Sequence, residues 1–370
     1  MIFNFHALRA SHALRASHAL RATLNGVAAA PSQRLYNFPG PRRQRGVALI
    51  IALILVALAT ILATKLTFDG FIERRRTIGV LAAEQALQFG FGAEALAADA
   101  LAQDQQSNGQ QTTLAAPWAQ PSQAFPITPP DDPEAEPIGT MQGQLEDMQG
   151  RFNLNNLARV VAGTAQPGQA GQPTQDPQPL EQFQRLLALV GVEPKWAAIA
   201  RDWIDADDIP GSPDGAEDQV YTSQIPPYRT GNWPMMSPAE LMNLPGFGAD
   251  RYRKIAPYVT ALPSSMVSIN ICTAPAVVLE SLADDLNGEY NPEMLANGRK
   301  SGCFPDLNTF RNVVGPKDLA AIQGRFGQTS QFFRLRTRIT LGSTEFTLYS
   351  LLQRGNGGKI TPLLRSFGTP

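Results

Sequence analysis

Arg42-Arg43-Gln44-Arg45-Gly46-Val47-Ala48-Leu49-Ile50-Ile51 is the junction on which the reading of this chain turns. A basic run stops at Gly46, and residues 47–64 follow without a single charge. Wound as a helix, that stretch rises about 27 Å, enough to cross the hydrocarbon of a bilayer. Residues 1–46 contain seven arginines and no acidic residue, so this end is expected in the cytoplasm and the bulk of the chain outside. A cleaved secretory signal has a shorter apolar core with a small-residue cleavage site after it. Here the glycine precedes the apolar stretch, which continues as helix-compatible sequence.

Composition points to an exported domain. All three histidines, His6, His12 and His18, lie in a HALRAS-type repeat over residues 1–23 that has no core-forming pattern. The working leader is expected to begin nearer Pro41, with a targeting peptide as the alternative for this Arg-rich, acid-poor segment. Beyond residue 46, 24 basic residues face 32 acidic ones, a balance that disfavours nucleic acid and anionic lipid as partners. Without the leader no imidazole remains, which excludes a Ser-His-Asp triad, a Cys-His pair and a histidine-ligated metal. Cys272 and Cys303 are too few for a zinc site. They either form one disulfide in an oxidising compartment or stay as two buried thiols.

No proline occurs in residues 47–116, and a single helix is expected from 47 to about 103. Its outer half carries Gly79, Ala83, Ala86, Gly90, Ala93, Ala97 and Ala100 at three-and-four spacing, a small-residue face suited to close packing, first of all on the domain's own sheet. Seven prolines in residues 117–137 predict a loop without regular structure. Residues 140–154 read as a strand pair interrupted by Gly143 and Gly150, and 163–179 as a second breaker segment. Helices are expected over 180–190, ending at Gly191, and over 194–205. Ser237-Pro238-Ala239-Glu240 has the form of a capping box that opens a helix over 238–243, followed by Pro245-Gly246-Phe247-Gly248 and a helix over 250–258. Arg334, Arg336 and Arg338 alternate with Leu335, Thr337 and Ile339, so 332–341 and 345–352 form a hairpin turning at Gly342-Ser343.

The Gly46-Val47 junction resembles the processing site of type IV prepilins and of type II secretion pseudopilins. That resemblance implies cleavage between Gly46 and Val47 by a prepilin peptidase, N-methylation of Val47, and a helix that stays in the membrane. Most members of those families have glutamate at the fifth mature position, where this chain has Ile51. A carboxylate in lipid needs a partner, so an uncharged residue suits a subunit that lies beneath no other, at the tip. Arg201-Asp202-Trp203-Ile204-Asp205-Ala206-Asp207-Asp208, Gly215-Ala216-Glu217-Asp218, Pro226-Pro227-Tyr228-Arg229 with Asn232, and Ser268-Ile269-Asn270 with Thr273-Ala274-Pro275 resemble the type II secretion system protein K family. The resemblance spans roughly residues 42–353. It implies an α+β, pilin-like fold: a long N-terminal helix packed on a small antiparallel sheet, with a large inserted helical domain containing a helix-hairpin-helix-like (SAM-like) segment. The corresponding division is a leader over 1–46, an anchoring and assembly helix over 47–65, a pilin-like part over 66–155, the insertion over 156–328, a C-terminal hairpin over 329–355 and a tail over 356–370. The resemblance also implies a single-pass inner-membrane protein with a periplasmic C-terminal domain. Its expected partners are minor pseudopilins I, J and H, the major pseudopilin, the inner-membrane assembly platform and secreted cargo, with no nucleic acid and no catalysis.

Seven carboxylates fall within 17 residues, at Asp202, Asp205, Asp207, Asp208, Asp214, Glu217 and Asp218. Six of them, all but Asp214, form the candidate calcium set, since a flexible acidic loop supplies the oxygens that this ion needs, and the family resemblance implies calcium here. The glycine position does not fit an EF-hand, and the plain alternative is a solvated loop neutralised by Arg201 and Arg229.

Leu244-Pro245-Gly246-Phe247-Gly248 resembles the hairpin of helix-hairpin-helix modules, whose backbone N–H groups face DNA phosphates, and Arg251, Arg253 and Lys254 follow it. A membrane-tethered DNA-uptake protein is therefore the rival function; the plain alternative is a tight turn between packed helices. A signal-anchored enzyme working through the carboxylates is the third class.

Overall fold

The computed structural model describes residues 47–129, 131–132, 134–161, 174–342 and 344–369. The chain divides into two compact units, Met1–Asp69 and Gly70–Pro370. Helix α1, Val47–Asn108, is the first element, and residues 47–81 of it bury no side chain. It runs five residues beyond the expected end, since nothing before Gly109 breaks it. Leader residues 1–46, and with them Gly46, lie outside the described residues, as do 162–173.

In the second unit five antiparallel strands form one sheet in the order β1 (Phe125–Ile127), β2 (Gly139–Asp147), β3 (Phe332–Leu341), β4 (Thr344–Arg354) and β5 (Ile360–Phe367). Spatial order follows chain order, so the whole insertion is spliced between two neighbouring strands, β2 and β3. The expected hairpin is present as β3 and β4, with Gly342 in the left-handed region (φ 56°) that its tight turn demands.

Residues 86–101 of α1 cover one sheet face. Ala86, Gly90, Ala93, Ala97 and Leu101 are buried, and Leu335, Ile339, Leu348 and Leu352 meet them from β3 and β4. At Gly90 a Cβ would lie 2.6 Å from Leu348 Cδ2, so any larger residue obliges the Leu348 side chain to move. Gly79 remains exposed, so the small-residue face is used from Ala83 onward.

Three local expectations are corrected. Gly143 does not interrupt β2: it pairs with Thr337, and it is where residue 122 crosses closely enough for Ser122 N–H to donate to the Gly143 carbonyl (3.0 Å). The proline-rich segment holds β1, because an edge strand tolerates Pro126, and a short helix that buries Trp118 edge-on against Phe333. Segment 356–370, expected as a tail, contains β5; Arg365 ties it to α1 by bidentate bonds to Glu94 (2.8 and 2.8 Å).

The insertion packs α2 (Pro177–Leu189), α3 (Trp196–Asp202), α4 (Asp218–Thr222), α5 (Gly248–Ile255) and several shorter helices around one core, with Phe152 stacked on Phe183 at 5.1 Å. Helix α2 begins earlier than expected, because Asp176 caps it by accepting from Gln178 N–H. The capping box at Ser237 and Glu240 is present, on a 3-10 helix. A buried polar hub at Asp147 joins insertion to sheet. Its Oδ1 accepts from Gln149 N–H (2.9 Å), and its Oδ2 accepts from Asn270 (2.9 Å), Thr273 (2.6 Å) and Ser330 (2.6 Å). Cys272, between two of these donors, is bridged to Cys303.

Candidate functional site

Helix α3 stops at Asp202, three residues sooner than expected, because the Asp202 carboxylate turns the following loop back upon itself. Its Oδ2 accepts from the backbone N–H groups of Gly211 (2.9 Å) and Ala216 (2.9 Å). Gly215 is required here, since a Cβ would collide with the Gly211 backbone and the Asp202 carboxylate. The returning loop brings Asp205, Asp207 and Glu217 together, with one carboxylate oxygen of each within 4.8 Å of the others.

Asp205 and Glu217 are buried, whereas Asp207 is exposed. Neither Glu217 oxygen has a hydrogen-bond donor among the described residues, nor does Asp205 Oδ1. The other Asp205 oxygen accepts from Gln175 Nε2 (2.7 Å). Burial, then repulsion from Asp202, Asp205, Asp207 and Asp208, pushes Glu217 up to about 7. Burial is also the main cause that raises Asp205 to about 6, against the Gln175 hydrogen bond.

The six candidate ligands thus separate. Asp205, Asp207 and Glu217 converge. Asp202 shapes the loop through Oδ2, while its buried Oδ1 has no hydrogen-bond donor among the described residues and lies 3.9 Å from Arg201 Nε. Asp208 accepts from Asn232 Nδ2 (3.1 Å) at the surface. Asp218 does not join the cluster: as the first residue of α4 it accepts from Thr230 N–H (3.1 Å) and hydroxyl (3.0 Å) and pairs with Arg229 (3.2 Å). Sequence reasoning missed Gln175, a neutral side chain 30 positions away that carried no signal. The orphaned buried oxygens and the all-oxygen donor set fit a hard cation such as calcium, which Asp205, Asp207 and Glu217 would hold.

The hairpin at Gly246 (φ 84°) and Gly248 (φ 74°) is a tight turn leading into α5. Its cations are spent on the protein itself. Arg251 forms a bidentate pair with Glu193 (2.7 and 2.8 Å) and also donates to the Gly246 and Phe247 carbonyls. Arg253 pairs with Asp250, and Lys254 Nζ donates to the Gly191 carbonyl (3.0 Å). This supports the tight-turn reading over the phosphate-binding one.

The other candidate region is α1 itself. It is long and apolar enough to cross a membrane, and Val47 and Ile51 are both exposed on it.

A long apolar helix that continues onto a small antiparallel sheet, with a helical domain spliced between adjacent strands, defines a pilin-like subunit with a candidate membrane anchor. A family model described as type II secretion system (T2SS), protein K matches residues 150–264. Type II secretion system protein K of Aeromonas hydrophila is 31% identical over 341 residues, 89% of this chain and 99% of that protein. Its Pseudomonas aeruginosa counterpart is 31% identical, over 88% of this chain and 94% of that protein. A chain in the crystal structure of the GspK-GspI-GspJ complex from enterotoxigenic Escherichia coli has a TM-score of 0.66 and 27% identity, covering 80% of this chain and 100% of that one. The chain belongs to the type II secretion system protein K family, and its role is that of a minor pseudopilin.

Proposed function

We propose that this subunit works at the tip of the pseudopilus, where it starts or caps assembly together with minor pseudopilins I and J. The observation that carries this reading is that residues 47–81 bury no side chain, although 47–64 are uncharged throughout and mostly apolar: this surface awaits lipid or other helices. The solved complex that resembles this chain contains GspI and GspJ beside GspK, which supports the choice of partners. Minor pseudopilin H, the major pseudopilin and the inner-membrane platform extend the same assembly.

In this reading a prepilin peptidase cuts after Gly46 on the cytoplasmic side and Val47 becomes the methylated N-terminus. The helix then waits in the inner membrane with the rest of the chain in the periplasm. Ile51 offers no carboxylate to attract a subunit placed above it, so growth proceeds only from below. Calcium held by Asp205, Asp207 and Glu217 stiffens the insertion, which caps the filament sterically and offers a surface to secreted cargo.

Mass spectrometry of the N-terminal peptide from membrane-extracted protein tests this directly. A methylated Val47 is expected. A chain intact through Gly46, or one clipped beyond residue 64 and released, overturns the reading.

A further inference from the structure

The open face of the sheet carries charge opposite to the chain beyond residue 46, where acidic residues outnumber basic ones. Along β3, Phe333, Leu335, Thr337 and Ile339 are buried, while Arg334, Arg336 and Arg338 lie on the other face. In register beside them stand Gln142, Gln144 and Glu146 of β2 and Thr347 and Tyr349 of β4. Two of the three guanidiniums are matched. Arg334 meets Glu146 at 2.6 Å, a carboxylate that Arg151 shares, and Arg338 meets Glu345 at 3.1 Å.

Arg336 is different. Its cross-strand neighbours are Gln144 and Tyr349, and it makes no ion pair or hydrogen bond among the described residues. A cavity of about 160 Å³ opens beside it, lined by Pro121, Gln142, Gly143, Gln144, Arg336 and Arg338. Gln142 is fixed there by donating to the Ser122 carbonyl (3.0 Å), whereas the Gln144 amide, like Arg336, has no protein partner among the described residues. A guanidinium fork and a free amide, set side by side on paired strands, match a planar carboxylate and its second lone pairs. An exposed arginine by itself signifies only solvation. Here three stand in one row beside a formed recess, on a face where they outnumber the carboxylates Glu146 and Glu345.

We propose that this face docks an extended acidic segment of a partner polypeptide, one carboxylate of which enters the recess and pairs with Arg336. Alternate side chains of an extended chain lie about 6.6 Å apart, the same step that separates Arg336 from Arg338, so carboxylates two positions apart can meet both. Glu146 and Glu345 flank the row, which disfavours a continuous polyanion or an anionic headgroup and favours isolated carboxylates among neutral residues. This docking goes beyond the assembly role and uses none of the residues of the acidic loop.

The test is fluorescence anisotropy of a labelled alternating Glu-Thr peptide, titrated with the full chain in non-ionic detergent. The expected result is saturable binding at about 50 mM salt that weakens several-fold at about 300 mM, with no binding of the alternating Gln-Thr peptide. Arg336→Glu is expected to weaken binding about tenfold, Arg336→Gln less, and Arg336→Lys least, all with unchanged circular dichroism because the side chain is off the core. Equal binding by wild type and Arg336→Glu, or no binding at low salt, overturns the proposal. Short-chain phosphatidylglycerol occupying the Arg336 site while the peptide does not would overturn the choice of ligand.

Discussion

Asp147 and Glu217 are both buried acids, yet their surroundings are opposite. Asp147 accepts four hydrogen bonds from three separate stretches of chain, and burial still raises its pKa. Glu217 accepts none among the described residues and shares its space with Asp205 and Asp207. The first is a closed account, in which donors replace the water lost on folding. The second is open, because only a proton or a cation can replace that water. Burial alone therefore says little about a carboxylate; what arrives at its oxygens separates a fastening from a binding site.

The largest effect is expected at the fastening. Asp147→Ala strips the acceptor from Asn270, Thr273 and Ser330 and should lower stability by about 3–5 kcal/mol, read from the midpoint of urea unfolding. A loss below about 1 kcal/mol would show that the hub is not a fastening at all. Next comes the open site. Calcium at about 100 times its Kd should stabilise the wild type by about 2.7 kcal/mol, and Glu217→Gln should abolish that gain while changing the calcium-free protein little. Equal stabilisation of both proteins would dissolve the contrast between the two acids.

Proton competition sharpens it further. Glu217 titrates near 7 and Asp205 near 6, so calcium affinity should climb as pH rises through this window and level off above it, measurable by calorimetry. Without calcium the native state holds protons that the unfolded chain has released, so its stability should fall as pH rises from about 4, where these carboxyls ionise in the unfolded chain, and level off above about 7. The smallest effect is expected at Asp218→Asn, whose side chain serves Thr230 and Arg229: calcium affinity should stay within about twofold, since a long-range charge is all that is lost.

Elements written in short-range pattern were readable from the chain. The apolar run after Gly46, the β3–β4 alternation around Gly342 and the Ser237–Glu240 capping box each depend on residues within a few positions of one another. What escaped depended on distant neighbours. β5 exists because β4 offers it an edge and Glu94, 271 positions earlier, holds Arg365. β1 exists because β2 lies beside a proline-rich stretch that has no strand pattern of its own. In the acidic loop the composition marked the region, but its spacing did not show that Asp218 turns to Thr230 or that Asp202 bonds the backbone.

The sequence by itself determined a long apolar helix, a small-residue face, a β-hairpin and an acidic loop, since charge, periodicity and turn chemistry act between near neighbours. The tertiary structure alone decided which three carboxylates meet, that Asp147 fastens the insertion between two adjacent strands, that the hairpin's Arg251 is consumed by Glu193, and that Arg336 is left over. Those outcomes hang on contacts between residues far apart in the chain, where packing geometry rather than local order chooses the partner.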